Sequence, residues 1–91
     1  MNKEEVEKKL KKLGSWHHED YKKLVKTFAF PDYKKTIEFV NRVAAIAEYQ
    51  KHHPGLHVFW GKVVVELSTH DANAITEKDF LLAAKIDALE K

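Results

Sequence analysis

The spacing of apolar residues predicts an amphipathic helix over Asn2–Leu13, followed by Gly14 at the position where a C-cap glycine is common. The apolar residues that recur at intervals of four and three are Val6, Leu10 and Leu13. The remaining positions are mainly lysine and glutamate, which we interpret as a solvent-exposed face with charge pairs four residues apart. Contact of this face with phosphate groups or with a partner is the alternative.

Alternating apolar and polar residues predict a first pair of strands over Ser15–Phe30. Trp16 is expected to begin a short strand, and His17–Asp20 to form a polar connection. The second strand starts at Tyr21. Its buried face is predicted to carry Leu24, Phe28 and Phe30, and its exposed face Lys23 and Thr27.

A long central helix is predicted between the two prolines, with Asp32 as its N-cap and its end at His52-His53-Pro54. One apolar stripe at helical spacing comprises Tyr33, Ile37, Val40, Ala44 and Ala47, and a second set widens it with Phe39, Val43 and Ile46. This stripe is wider than contact with one sheet face requires. We therefore expect the helix to pack also on another helix or another subunit, with Phe39, Val43 or Ile46 near an interface.

After Pro54 the pattern becomes that of a second strand pair. The alternating apolar residues are Leu56, Val58 and Trp60 before the turn, and Val63, Val65 and Leu67 after it. A two-residue loop at Gly61-Lys62, beginning with glycine, is typical of a type II′ turn. This turn would direct Trp60 towards the core, with stacking on a flat ligand as a secondary use. Glu66 would face solvent.

A third helix is predicted from local signals at its start. Thr76 and Asp79 approximate a capping box, and Ile75 and Phe80 stand where a hydrophobic staple would place them. An apolar stripe continues through Leu82, Ile86 and Leu89. The order α-β-β-α-β-β-α predicts an α+β fold, with a four-stranded antiparallel sheet and three helices packed on one face. We expect one domain over residues 1–91.

Composition narrows the function by exclusion. The 91 residues include no cysteine, which excludes a disulfide frame and a thiolate nucleophile. The net charge of +2 does not favour nucleic-acid binding. No apolar run reaches the ~18 residues that a bilayer-spanning helix needs, and no signal-peptide pattern follows the N-terminus. We therefore expect a cytoplasmic protein without membrane or nucleic-acid partners.

Histidine is the main candidate for chemistry, because imidazole gains and loses a proton near neutral pH. Four of the six histidines lie within Ala47–Asp71, and they are His52, His53, His57 and His70. Adjacent residues project differently, so His52 and His53 are expected to have different roles in acid–base work. His17 and His18 are interpreted as surface residues.

Two other interpretations of these histidines remain open. His52-His53 at the end of a helix is also typical of a polar C-cap. A zinc site would combine the four histidines of Ala47–Asp71 with Glu48 or Asp71. Neighbouring histidines do not match the i,i+4 spacing of helical zinc ligands, which disfavours the metal.

The order and spacing of these residues resemble the pterin-4a-carbinolamine dehydratase family. The matching positions are Glu48, His52-His53-Pro54, Trp60, His70 and Asp79. Further similarity lies in Phe28, Phe30, Asp32, Tyr33, Arg42-Val43-Ala44, Ala47 and Leu67–Asp71. The resemblance covers nearly the whole chain. It departs from the family pattern at Leu56, where family members often have an aromatic residue.

The resemblance implies a hydro-lyase that removes water from 4a-hydroxytetrahydropterin, giving quinonoid dihydropterin without a metal or cofactor. It implies that His52 and His70 are the acid–base residues and that His53, Glu48 and Trp60 bind the pterin. By the resemblance Asp79 lines the site, whereas its local sequence favours a helix cap alone. It also implies a homodimer or homotetramer. The alternative function is a non-catalytic protein-binding or coactivator-type module of the same fold.

Overall fold

The computed structural model describes residues 1–89, which form three helices and four strands. They are α1 (Lys3–Lys12), β1 (His17–Glu19), β2 (Lys23–Ala29), α2 (Tyr33–Gln50), β3 (Gly55–Val58), β4 (Lys62–Leu67) and α3 (Glu77–Ala88). The predicted order and the α+β class are therefore confirmed. No helix in this part of the chain is long and apolar enough to cross a bilayer.

The sheet is antiparallel throughout, with strand order β1-β2-β4-β3. In the central pair, Leu24 lies opposite Leu67 and Phe28 opposite Val63. Because side chains alternate across a strand, these residues face the same side. They form one core with buried residues of all three helices, namely Val6, Phe39, Val43, Phe80, Leu82, Ala83 and Ile86. The helices thus cover one face of the sheet, as predicted.

The first helix and the strand that follows it differ from the prediction. Asn2 caps α1, and Gly14 does not adopt the left-handed conformation of a C-cap glycine, which falls instead on Ser15 with φ 65°. The expected polar connection at His17–Asp20 is wrong, because His17–Glu19 pair with β2 as a strand. An edge strand exposes much of its surface, so a polar sequence can form one.

The turn of the second hairpin lies one residue earlier than predicted. Val58 pairs with Val63, and the Phe59 N–H donates to the Lys62 carbonyl (2.9 Å), so the two-residue loop is Trp60-Gly61. Gly61 does not have a positive φ, and the type II′ assignment is wrong. Trp60 is 66% exposed and does not pack in the core. A one-residue change of register moves a side chain to the other face.

The core-facing side of α2 also lies one step from the predicted stripe. The Asp32 carboxylate caps the helix as predicted, accepting from the Lys35 N–H at 2.8 Å. The buried positions are Thr36, Phe39, Val43 and Ala47, whereas the predicted stripe members Tyr33 and Ala44 are exposed. Phe39 and Val43 belong to the chain's own core, so among the three residues expected near an interface only Ile46 is partly exposed. Periodicity missed Thr36, whose hydroxyl lies within hydrogen-bond distance of the carbonyl oxygens of Asp32 (2.8 Å) and Trp60 (2.9 Å) and donates its single hydrogen to one of them.

Candidate active site

Three histidines from two segments line one cleft of about 240 Å³. His52 and His53 follow the end of α2, and His70 follows the end of β4. The other residues that line the cleft are Lys51, Ser68, Thr69, Asp71 and Lys78. The structure therefore brings together the three histidines that the resemblance assigns to the site, two as acid–base residues and one for binding.

The chain turns at the end of α2, and the two histidines that follow differ in how far their side chains are exposed. Lys51 adopts the left-handed conformation (φ 54°, ψ 39°), and the His52 N–H donates back to the Ala47 carbonyl at 3.1 Å. This C-cap turns the chain, and Pro54 prevents the helix from continuing. The side chain of His52 is only 13% exposed, whereas that of His53 is 65% exposed. The expected difference between the two settings is present.

His52 is held by a buried carboxylate. Its Nε2 lies 2.5 Å from Oδ1 of Asp79, whose side chain is fully buried. An ionised carboxylate only accepts hydrogen bonds, so we assign the ring hydrogen to Nε2, which leaves the lone pair of the neutral ring on Nδ1. Within residues 1–89 Nδ1 has no hydrogen-bond partner. Every buried side-chain nitrogen in these residues does have a partner, so Nδ1 is not buried. Nδ1 is therefore accessible to solvent and to a ligand.

Asp79 caps a helix and also holds a cleft residue, but its fully buried side chain does not itself line the cleft as the resemblance implies. Its Oδ2 accepts from the backbone N–H of Thr76 at 2.9 Å, which caps α3. The hydroxyl of Thr69 donates to the same oxygen, also at 2.9 Å. The other oxygen binds His52. One carboxylate thus fixes the start of a helix and the orientation of an imidazole, so the interpretation as a cap alone is incomplete.

His53 is paired at the mouth of the cleft. Its Nε2 lies 2.9 Å from Oε2 of Glu48, and the Glu48 side chain is 80% exposed. An ion pair so open to water contributes little to stability, roughly 0–1 kcal/mol. The pair restricts the orientation of an exposed ring without burying it.

The remaining candidates lie elsewhere. Trp60 is in the β3–β4 turn, at the end of β4 opposite to His70. The His57 Nε2 contacts Oε2 of Glu66 at 3.2 Å on the sheet face that the helices leave open. No group of three or more side chains suited to hold a metal ion occurs in the described part of the chain, so the four-histidine zinc set is not assembled there.

Glu66 also contacts a lysine of β2 that lies diagonally across from it, since Val25 is the residue directly opposite. The Lys23 Nζ lies 3.2 Å from Oε1 of Glu66 and 3.4 Å from Oε1 of Glu19. The hydrogen bond to Glu66, followed by that to Glu19, raises the pKa of Lys23 above its ordinary value. Glu66 is therefore half-buried among polar partners and does not simply face solvent.

The surface interpretation of the N-terminal histidines holds only for His17, which is exposed. His18 is half-buried, stacks on the Tyr21 ring at 3.8 Å between centroids and accepts the Tyr21 N–H on Nδ1 at 3.2 Å. The hydrogen bond from the Tyr21 hydroxyl to Glu7 raises the pKa of that hydroxyl. These contacts stabilise the β1–β2 turn.

The sequence prediction did not include Thr69, Lys51 or Lys78 among the site residues, although all three line the cleft. A threonine beside His70 at a strand end gives no distinctive pattern, because hydroxyls commonly bind backbone groups there. Only the fold places it against Asp79.

Comparison with known protein families shows which family the chain belongs to. The family model described as "Pterin 4 alpha carbinolamine dehydratase" matches residues 1–89. The chain belongs to this family. The resemblance based on the histidine signature is confirmed.

Two relatives of the pterin-4-alpha-carbinolamine dehydratase family illustrate the extent of the match. A Rickettsia bellii (strain OSU 85-389) protein, provisionally named a pterin-4-alpha-carbinolamine dehydratase, is 44% identical over 91 residues, covering 99% of this chain and 80% of the relative. A Sulfolobus acidocaldarius protein with the same provisional name is 40% identical over 90 residues, covering 99% of this chain and 98% of the relative. The similarity thus extends over nearly the whole of this chain and over 80% and 98% of the two relatives.

Solved structures share the fold of this dehydratase family member. A Brucella melitensis protein described as a transcriptional coactivator/pterin dehydratase superposes with a TM-score of 0.93 at 30% identity, covering 98% of this chain and 96% of the other. A pterin dehydratase-like protein identified as a RuBisCO assembly factor in the alpha-carboxysome gives a TM-score of 0.71 at 30% identity, covering 82% and 88%. The fold therefore occurs in proteins described by an enzymatic role and in one described by an assembly role.

Proposed function

We propose that the protein is a 4a-hydroxytetrahydrobiopterin dehydratase, a hydro-lyase that regenerates quinonoid dihydropterin during recycling of a tetrahydrobiopterin-type cofactor. The observation that carries this proposal is the convergence of His52, His53 and His70 on one cleft, with His52 held by the buried Asp79. Membership of the family supports the same reaction.

The proposed reaction is an elimination that needs one proton acceptor and one proton donor. A base removes the hydrogen on N5, its electron pair forms the N5=C4a double bond, and the C4a–O bond breaks as an acid protonates the departing hydroxyl. Water leaves, and neither an oxidant nor a metal is required. Positioned imidazoles are suited to both transfers at neutral pH.

The settings of the two catalytic histidines support different roles for them. We assign His52 as the base, because its Nδ1 is free and the Asp79 carboxylate stabilises the imidazolium that forms. His70 is exposed on the other wall of the cleft and is assigned as the acid. His53, oriented by Glu48, is assigned to hold the pterin ring. Each role is a hypothesis that alanine substitution tests.

Assembly into a homodimer or homotetramer is part of the proposal. A surface groove of about 390 Å³ between α2 and α3 is lined mainly by apolar atoms, including Ile46 and the 85% exposed Tyr49. The six residues of β4 span about 20 Å at roughly 3.3 Å per residue, and Trp60 and His70 lie beyond its opposite ends, so a pterin contact by Trp60 would have to reach the site of another subunit. Light scattering is expected to give a dimer or tetramer, and a stable monomer at low micromolar concentration contradicts this.

The alternative function is a protein-binding module. It is favoured by the exposed apolar residues at the β3–β4 turn, Val58, Phe59 and Trp60, and by the neighbour described as an assembly factor. Rapid mixing of purified protein with 4a-hydroxytetrahydropterin separates the two. Acceleration of its loss in proportion to protein concentration supports the enzyme, whereas loss at the buffer rate rules it out and leaves the binding module.

A further inference from the structure

Thr69 contacts one wall of the cleft through its backbone and the other through its side chain. Its N–H donates to the Ala74 carbonyl at 2.9 Å, and the Ala74 N–H returns to the Thr69 carbonyl at 3.4 Å. Inside this bridge the Asn73 N–H donates to the His70 carbonyl at 3.0 Å, with Asn73 at φ 50°. The backbone of Thr69 therefore closes the turn that presents His70.

The side chain of Thr69 contacts the other wall. Its hydroxyl donates to Oδ2 of Asp79 at 2.9 Å, because a carboxylate only accepts. A hydroxyl has one hydrogen, so the Thr76 hydroxyl must be the donor in the 2.6 Å contact between the two threonines. The hydrogen bonds then run in one direction, from Thr76 to Thr69 to Asp79, whose other oxygen accepts from His52.

We propose that Thr69 is a positioning residue for the dehydration reaction. It holds the Asp79 carboxylate, and through it the ring of His52, at a fixed distance from His70, whose turn the same residue closes. This inference rests on the proposed function. The β-branched side chain has restricted χ1 rotamers, which keeps the hydroxyl directed at the carboxylate.

Removing the Thr69 hydroxyl should shift the pH dependence of kcat in one direction. The Thr69 hydroxyl draws negative charge on Asp79 towards Oδ2 and away from the side that faces His52. Without it, the carboxylate attracts the His52 imidazolium more strongly and so favours it over the neutral ring. Since a protonated His52 is not a base, the acidic limb of the kcat–pH profile should move to higher pH.

The test uses Thr69→Val, which keeps the branched shape and removes the hydroxyl, and Thr69→Ser, which restores it. We expect Thr69→Val to lower kcat by about 10–100-fold with little change in KM, and to move the acidic limb to higher pH. Thr69→Ser should recover most of kcat and the original profile. Thr27→Val, at an exposed position on β2, is the matched control and should leave both unchanged.

A second readout does not depend on activity. A short hydrogen bond from His52 to Asp79 should give a far-downfield proton resonance in wild type and Thr69→Ser, and this signal should broaden or vanish in Thr69→Val. If the wild type has no activity, the proposed function fails and the resonance alone decides the positioning role. If the wild type is active but Thr69→Val keeps its kcat, pH profile and resonance, the positioning role is overturned.

If Thr69→Val does not fold, Thr76→Val provides a second test of the positioning role. It removes the donor to the Thr69 oxygen but leaves the bond from Thr69 to Asp79. A smaller shift of the acidic limb in the same direction is expected. A folded Thr76→Val protein with an unshifted limb would contradict the inference.

Discussion

Replacing His52 or His70 with alanine is expected to lower kcat for pterin dehydration by about 10²–10⁴-fold, the usual contribution of a general acid or base. KM should change little, because proton transfer is an interaction of the transition state and not of substrate binding. The two effects should not add fully, because either imidazole can partly replace the other. Steady-state kinetics of each single variant and of the double variant measure this.

His53→Ala should give a different pattern. A residue that holds the ring in the ground state and in the transition state alike raises KM when removed and affects kcat less. His17→Ala is the control, because His17 is exposed on β1 and lies outside the histidine cleft. Equal losses of kcat for His17→Ala and His52→Ala would show that the reaction does not take place in this cleft.

The second large effect is expected at Asp79. Asp79→Asn keeps an oxygen that can cap α3 but removes the negative charge beside the His52 ring. Loss of the equivalent carboxylate behind a catalytic histidine in serine proteases costs about 10⁴-fold in kcat. We expect a decrease of about 10²–10⁴-fold here, measured with the fold checked by circular dichroism.

The pH profile distinguishes this effect from general damage. Without the carboxylate charge the His52 imidazolium is less stable, so the acidic limb should move to lower pH. This is opposite to the shift expected for Thr69→Val. Glu48→Gln is the matched control, since it removes the carboxylate charge beside the exposed His53 and leaves the Asp79 charge beside His52 in place. An Asp79→Asn enzyme with unchanged kcat and profile would exclude a role for the His52–Asp79 pair.

Asp79→Ala should also destabilise the fold. It leaves the His52 ring, the Thr69 hydroxyl and the Thr76 N–H without their common acceptor. Leaving a buried donor without an acceptor typically costs about 1–3 kcal/mol in the free energy of unfolding for each donor. Comparison with Asp79→Asn therefore separates loss of structure from loss of chemistry.

The sequence predicted helix caps, which depend on residues close together in the chain, better than the turn of the second hairpin, which depends on the pairing register of two strands. The start of α3 was correct because Thr76 and Asp79 carry their own capping signal, and the Asp32 cap was correct for the same reason. The Trp60-Gly61 turn was missed because alternation does not show where a loop ends. Gly61 avoids a tight contact there, since a Cβ would lie 3.1 Å from the Phe30 carbonyl oxygen.

The sequence singled out the three histidines that line the cleft, but it did not predict the hydrogen bonds that join His52 and Thr69 to Asp79. The adjacency of His52 and His53 was enough to predict different settings, which their 13% and 65% side-chain exposures confirm. The contact between His52 and Asp79 joins residues 27 positions apart, and only the packing of α3 beside the end of α2 creates it. Thr69 has no sequence signal separate from an ordinary strand-end hydroxyl.

The most direct test of the central claim is a rapid-mixing measurement of 4a-hydroxytetrahydropterin loss with the wild-type protein and with the His52→Ala/His70→Ala double variant, at equal concentrations and with folding verified. We predict that the wild type accelerates the loss catalytically and that the double variant loses at least about 10²-fold of this acceleration. A wild type that leaves the decay at the buffer rate, or a double variant as fast as the wild type, would contradict the claim that the cleft catalyses this dehydration.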